Sequence, residues 1–148
     1  MIVLDTNVLS EMMRPDPDST VAGYTSAQSA SGLYTTTVNQ AEILYGIRLL
    51  PSTKRRSRPE TAIGEMFAAD FAGRVLPFDH AAAQAYAEIA AARRRAGRPI
   101  AQFDAQIAAI AWSRDAGVAT WNVADFEGCG ISVTDPAGPA PTIPAGSR

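Results

Sequence analysis

Four acidic residues stand where chemistry is most easily built. Asp5 directly follows the apolar run Ile2-Val3-Leu4, which reads as a first strand, and Thr6 and Asn7 continue into a helix. A carboxylate there lies at the carboxyl end of a strand, where open α/β sheets build their sites. Glu42 lies on the helix-forming stretch from Val38 to Leu50, between Val38 and Tyr45 at helical spacing, so its side chain shares a face with apolar residues and points inward. Asp104 opens the helical run Asp104-Ala-Gln-Ile-Ala-Ala-Ile-Ala111. Asp125 lies in Thr120-Trp-Asn-Val-Ala-Asp-Phe126, just past another strand-like run, with Phe126 as a core anchor.

Each carboxylate has a plainer reading. Asp5 is a natural helix N-cap. Glu42 can sit at the edge of a stripe and reach water. Asp104 is a favourable charge in a first helical turn, and Asp125 suits a loop or cap. Their joint placement says more, because in a parallel sheet such positions converge on one edge. Carboxylates gathered there repel, and an unpaired buried one is costly without a proton or cation. All-oxygen donors suit Mg2+ or Mn2+ rather than zinc. Such ions activate water and stabilise charge on a phosphoryl group, which points to phosphodiester hydrolysis.

The elements that position these residues follow from short apolar runs and helix signals. Ile2–Leu4, Leu33–Thr36, Val75–Phe78, Val118–Trp121 and Ile131–Val133 read as buried strands. A first helix runs from Asn7 to Met13 and stops at Arg14-Pro15-Asp16-Pro17. A second spans Val38 to Leu50, with Thr37 and Gln40 as a capping box and Pro51 after it. A third starts at the N-cap Asp79 and ends at Arg95 before Gly97, with Arg93, Arg94 and Arg95 suited to a helix C-terminus. A fourth covers Phe103 to Asp115, with Ile107, Ile110 and Ala111 on one face. Pro51 to Pro59 reads as a basic loop, followed by a helix from Glu60 to Phe71. Strands alternating with helices define an α/β fold with a central parallel sheet flanked by helices on both faces.

The chain has 148 residues, which suits one domain over residues 1–135, with a Pro/Gly/Ala-rich tail over 136–148 expected to be flexible. No apolar run approaches the roughly 20 residues of a membrane-spanning helix. No secretory leader is visible, so the expected location is the cytoplasm. Cys129 is the single cysteine and His80 the single histidine, which excludes a disulfide framework, a cysteine zinc site and a ribonuclease mechanism using paired histidines. His80, at a helix start, reads as structural. The formal net charge is -2, so nucleic-acid contact must come from local patches. Lys54, Arg55, Arg56 and Arg58 form one candidate, and Arg93, Arg94, Arg95 and Arg98 another, the latter also suited to acidic groups of a protein partner. Trp112 and Trp121 could stack on bases, but core packing is the expected role.

Several stretches, in order, carry a resemblance. They are Met1-Ile-Val-Leu-Asp-Thr-Asn-Val-Leu-Ser-Glu11, Thr35-Thr-Thr-Val-Asn-Gln-Ala-Glu-Ile-Leu-Tyr-Gly46, Arg74-Val-Leu-Pro-Phe-Asp79, Gly97-Arg-Pro-Ile100, Asp104 to Ala111, and Asn122-Val-Ala-Asp-Phe126. The chain resembles the PIN-domain ribonucleases, and among them the VapC-type toxins of bacterial toxin–antitoxin pairs, on the FitB-like branch. The resemblance implies a PIN-like α/β/α fold and a Mg2+- or Mn2+-dependent endoribonuclease site, with Asp5, Glu42 and Asp104 at the three core acidic positions. Relatives carry either an acidic residue at the place of Asn122 or an Asn there with an Asp three residues later. This chain has the second arrangement, which favours Asp125 as the fourth and leaves Asn122 as a polar helper. Thr6 and Thr120 match small polar residues near the site, with Asn7 beside them. Trp121 replaces an Arg that many relatives carry. Also implied are an RNA substrate, a homodimer and a cognate antitoxin.

Two other readings remain open. A Mg2+-dependent phosphatase or 5′-nuclease could use a similar acidic edge, although Asp5 is followed by Thr6 and Asn7 rather than by the Asp-x-Asp of an aspartyl-phosphate enzyme. A catalytically degenerate RNA-binding domain is the other, and the concentration of carboxylates speaks against it.

Overall fold

Five short runs of mainly β-branched and aliphatic residues pair into one all-parallel sheet. They are β1 (Ile2–Leu4), β2 (Leu33–Thr36), β3 (Val75–Leu76), β4 (Gly117–Ala119) and β5 (Val133–Thr134). The structure is a computed structural model and describes residues 1–138; most of the tail expected to be flexible lies outside them. The strand order is β3-β2-β1-β4-β5. The chain therefore steps outward from β1 through β2 to β3, then returns to place β4 on the other side of β1. That reversal is a topological switch point, and it opens a crevice at the carboxyl ends of β1 and β4.

Strand side chains alternate between faces. Val3 and Val118 point to one side, and Leu4, Leu33 and Ala119 to the other. The first face is covered by α5 (His80–Arg95) and α6 (Gln102–Ser113). The second is covered by α1 (Thr6–Met12), α2 (Ser19–Ala27), α3 (Thr37–Arg48) and α4 (Thr53–Glu65). The α/β/α layering read from the sequence is thus present. Helix α6 is buried from Ile107 through Ala111 without interruption, beyond the one-sided stripe expected. Lying between the sheet and α5, it has no solvent face along that stretch, and its small alanines let both neighbours approach.

Local chemistry moves several boundaries. Asp79 caps α5 as expected, accepting from the Ala82 amide at 3.0 Å. The cap of α3 is Thr36 rather than Thr37, because the chain is still extended at Thr36 and its Oγ1 accepts the Asn39 amide at 3.1 Å. Strand β3 ends at Leu76, where Pro77 brings no N–H for a ladder. Strands β4 and β5 are shorter and offset from the runs read as Val118–Trp121 and Ile131–Val133. The stretch Pro51–Pro59 is not a loop: α4 starts at Thr53 behind the Ser52 cap and carries Pro59 inside it. The helix read as Glu60–Phe71 is its second half, which gives way to a π-helical turn over Met66–Asp70. Helix α2 has no counterpart in the sequence reading. Asp18 caps it, and the buried Glu11 receives the Asp18 amide at 2.8 Å, but only Val21 along the helix is buried. Among the described residues, no helix is long and apolar enough to cross a membrane.

Candidate active site

The carboxyl end of β1 delivers Asp5 into the switch-point crevice, where it is 5% exposed. Its Oδ1 accepts from the Thr6 amide at 2.8 Å and from Asn39 Nδ2 at 3.1 Å, and its Oδ2 accepts from Thr120 Oγ1 at 2.8 Å. Asp5 is therefore both the cap of α1 and a carboxylate fixed from three elements, so the two readings of it coexist.

Thr120, just past β4 and fully buried, is a hub. Besides donating to Asp5, its hydroxyl accepts from Asn7 Nδ2 at 3.2 Å and from the Asn122 amide at 3.1 Å. Asn7 Oδ1 in turn accepts the Trp121 amide at 3.4 Å, joining α1 to the segment beyond β4. On the other side, Thr6 Oγ1 donates to Glu42 Oε1 at 3.1 Å and accepts from Asn39 Nδ2 at 3.1 Å. Asn39 is fully buried and was not among the site residues read from the sequence. The available signal was its place one helical turn before Glu42, which puts both on one face of α3. Its Oδ1 accepts from Thr36 Oγ1 at 2.6 Å, which fixes the amide so that Nδ2 points at Asp5 and Thr6.

The four acidic residues are linked by charge, Glu42 to Asp5 and Asp104, and Asp125 to Asp5 and Asp104. Burial pushes the Asp5 carboxyl up, hydrogen bonds from Thr120, Thr6 and Asn39 pull it back in part, and the charge of Asp125 adds to the rise. Burial likewise raises Glu42; the Thr6 hydroxyl offsets this, while Asp5 and Asp104 add to it. Asp104, in the first turn of α6, is pushed up to about 6 by burial first and then by Asp5 and Asp125, with Arg93 opposing. Among the described residues, no hydrogen bond stabilises its charge. Asp125 stands exposed on a 3-10 turn, Val123–Phe126, anchored by the buried Phe126. Among the described residues, no three acidic, histidine or cysteine side chains already form a closed ligand set. The carboxylates are close enough to repel and are not drawn together.

A hollow of about 400 Å³ opens beside Glu42, between α1 and α3, and a second of about 570 Å³ shares Ser10 and Met13 with it and is bordered by Arg14 and Arg58. Of the expected basic patches, Lys54, Arg55 and Arg58 are exposed on α4, whereas Arg56 donates its Nε to the Leu50 carbonyl at 3.1 Å. Arg94 and Arg95 are exposed at the end of α5, and Arg98 pairs with Glu127 at 2.9 Å. Arg93 is not a surface residue: it is turned inward and bound by backbone carbonyls. Trp112 and Trp121 are 53% and 39% exposed, so neither is the core residue expected. Trp112 lies one residue before the end of α6 and Trp121 two residues past β4, and neither ring is closed over by packing.

A model of the PIN domain matches residues 2–126. The chain is 39% identical to VapC ribonuclease Y4jK of Sinorhizobium fredii over 95% of this chain and 100% of that one. It is 34% identical to Toxin FitB of Neisseria gonorrhoeae over 92% of this chain and 98% of that one. The crystal structure of FitAcB from Neisseria gonorrhoeae matches with a TM-score of 0.85 at 34% identity, covering 92% of this chain and 98% of that chain. A parallel sheet with acidic side chains at its switch point and a match along most of its length make this chain a member of the PIN-domain family. Within that family it stands with the toxins of the VapC and FitB kind.

Proposed function

We propose that the chain is an endoribonuclease, the toxin of a toxin–antitoxin pair, which hydrolyses RNA phosphodiester bonds at the carboxylate edge with Mg2+ or Mn2+. The observation that carries this is the electrostatics of the edge. Three carboxyls are raised by burial and by neighbouring carboxylates, and among the described residues the half-buried Asp104 has no donor to satisfy its charge. Such a set is uncomfortable alone and fits a hard divalent cation, since every available donor is oxygen. Asp5, Glu42 and Asp104 would hold it, with Asp125 completing the set. A cation bound there supplies Lewis-acid polarisation of the phosphoryl group and lowers the pKa of water.

The chain's own part is orientation. Thr120, Asn39 and the Thr6 amide fix Asp5, while the Thr6 hydroxyl aims Glu42. Exposed Lys54, Arg55, Arg58, Arg94 and Arg95 attract the RNA backbone despite the acidic total. The names of the relatives, a ribonuclease and a toxin, support the same reading. With it come a cognate antitoxin protein, a homodimer and action in the cytoplasm, where RNA is met.

The test is cleavage of a total RNA pool by antitoxin-free protein with Mg2+ or Mn2+, beside Asp5→Asn and beside chelator. Cleavage by the wild type, lost in both controls, is the expected result. Equal cleavage by wild type and variant would overturn the site. Turnover of a phosphomonoester in place of RNA would move the assignment to a phosphatase.

A further inference from the structure

Arg93 is the one buried basic side chain among the described residues, at 7% exposure. Its presence inside was not anticipated, yet its spacing from Ala82, Ala85 and Ile89 puts it on the buried stripe of α5. No carboxylate makes an ion pair with it among the described residues. Its guanidinium is instead satisfied by main-chain oxygens. Nη1 donates to the carbonyls of Asp125 at 3.0 Å and Glu127 at 2.7 Å, and Nε donates to the carbonyl of Arg98 at 2.7 Å. The Cys129 sulfur lies 3.8 Å from Nη1.

These partners belong to two different segments. Asp125 and Glu127 lie on and after the 3-10 turn that follows β4, whereas Arg98 lies on the connection that leads into α6 and Asp104. The loops are shaped to wrap the side chain. Gly97, at φ +73°, reverses the chain after α5 so that the Arg98 amide returns to the Arg93 carbonyl at 2.9 Å. Gly128, at φ +75°, passes so close that an added Cβ would stand 3.7 Å from Arg93 Cδ.

We infer that Arg93 is a positioning residue, whose buried fork clamps the Asp125 turn to the connection entering α6 and so fixes the spacing of Asp125 and Asp104. This rests on the reading of the edge as a cation-dependent nuclease site. An arginine suits the task because its planar group presents donors in fixed directions to separate segments; a lysine ammonium is a point charge that cannot span both. Charge-assisted bonds to carbonyls are also stronger than neutral ones, which makes the clamp stiff. The charge has a second consequence, since Arg93 pulls the raised Asp104 carboxyl back down.

The experiment compares the full chain with Arg93→Lys and Gly128→Ala, by Mn2+ titration calorimetry, urea unfolding without metal, and kcat and KM on RNA. Gly128→Ala leaves every carboxylate and Arg93 in place and strains only the loop at positive φ. Arg93→Lys is expected to bind Mn2+ about tenfold more weakly or worse, as outer partners of ligands typically cost. Its kcat should fall with little change in KM, and adding Asp125→Asn should cost less than it does in the wild type. Gly128→Ala is expected to weaken Mn2+ binding in the same direction, and it decides the matter if Arg93→Lys does not fold. A folded Arg93→Lys, or else Gly128→Ala, with wild-type Mn2+ affinity and kcat overturns the inference. A loss confined to KM also overturns it, since that is the mark of an RNA contact. Failure of the site reading looks different: the wild type itself then binds no Mn2+.

Discussion

Asp5 and Asp104 sit at the same edge of the sheet and feel each other's charge, yet their surroundings are opposite. The oxygens of Asp5 are taken by three donors from α1, α3 and the end of β4. Among the described residues, those of Asp104 receive none, and Asp125 beside it is held only through the backbone of its turn. One corner is thus built by hydrogen bonds to the side chain that form without a ligand. The other is held only through its backbone, which Arg93 binds, and carries charge that Arg93 offsets only in part. A pure N-cap needs only the first corner. A site that awaits a cation needs the second as well, because the cation's free energy comes from relieving that charge.

The largest effect expected from this contrast is on catalysis. Asp5→Asn and Asp104→Asn should each lower RNA cleavage by more than about 100-fold, beyond the usual cost of losing an outer partner. Their effects on the metal-free fold should differ in sign. An amide offers one oxygen to the three donors at position 5, so Asp5→Asn should lower the melting temperature. Asp104→Asn removes an unsatisfied charge and should raise it by roughly 3 °C. Equal shifts in one direction would erase the contrast.

Next comes Thr120→Val, which keeps shape and removes the hub. It should weaken Mn2+ binding by about 10- to 100-fold and destabilise the fold by about 1–3 kcal/mol, since it strands the Asn7 amide and the Asn122 N–H. Calorimetry and urea unfolding read the two separately.

A smaller effect is the pH dependence of the metal-free protein. The Asp104 pKa rises from 3.8 to about 6 on folding, so between those values the native state binds more protons than the unfolded one. Its stability contribution must therefore fall as pH rises through that window and flatten above it. Burial raises Asp5 and Glu42 in the same direction. The difference between wild-type and Asp104→Asn melts, taken from pH 4 to 7, isolates the Asp104 part.

The smallest effect is expected at the exposed cations. Arg55→Ala should raise KM for RNA a few-fold at low salt, leave kcat unchanged, and lose its effect at high salt.

Much of this architecture was legible in the residues themselves. An apolar triplet followed by a carboxylate placed Asp5 at a strand's end, and the Asp79 cap placed α5. What was hidden had physical reasons. Helix α2 buries only Val21, so it shows no stripe. Helix α4 starts in basic residues and contains a proline, so composition argued for a loop. Thr37 looked like a cap because Thr36 beside it has the same chemistry. Arg93 stood in a run of three arginines, and only its register with Ile89 distinguished it from its exposed neighbours. Asn39 was silent because an asparagine declares its partners only when Asp5 and Thr6 come to meet it from β1 and α1.

The measurement that tests the central claim most directly is calorimetric titration of Mn2+ into the full chain and into Asp104→Asn at pH 6, in buffers of different ionisation enthalpy. The wild type should bind saturably and release protons as the Asp104 carboxyl is deprotonated by the cation, and the variant should show neither saturable binding nor proton release. Equal isotherms for the two proteins, or a wild type that takes up no Mn2+ at all, would contradict the account.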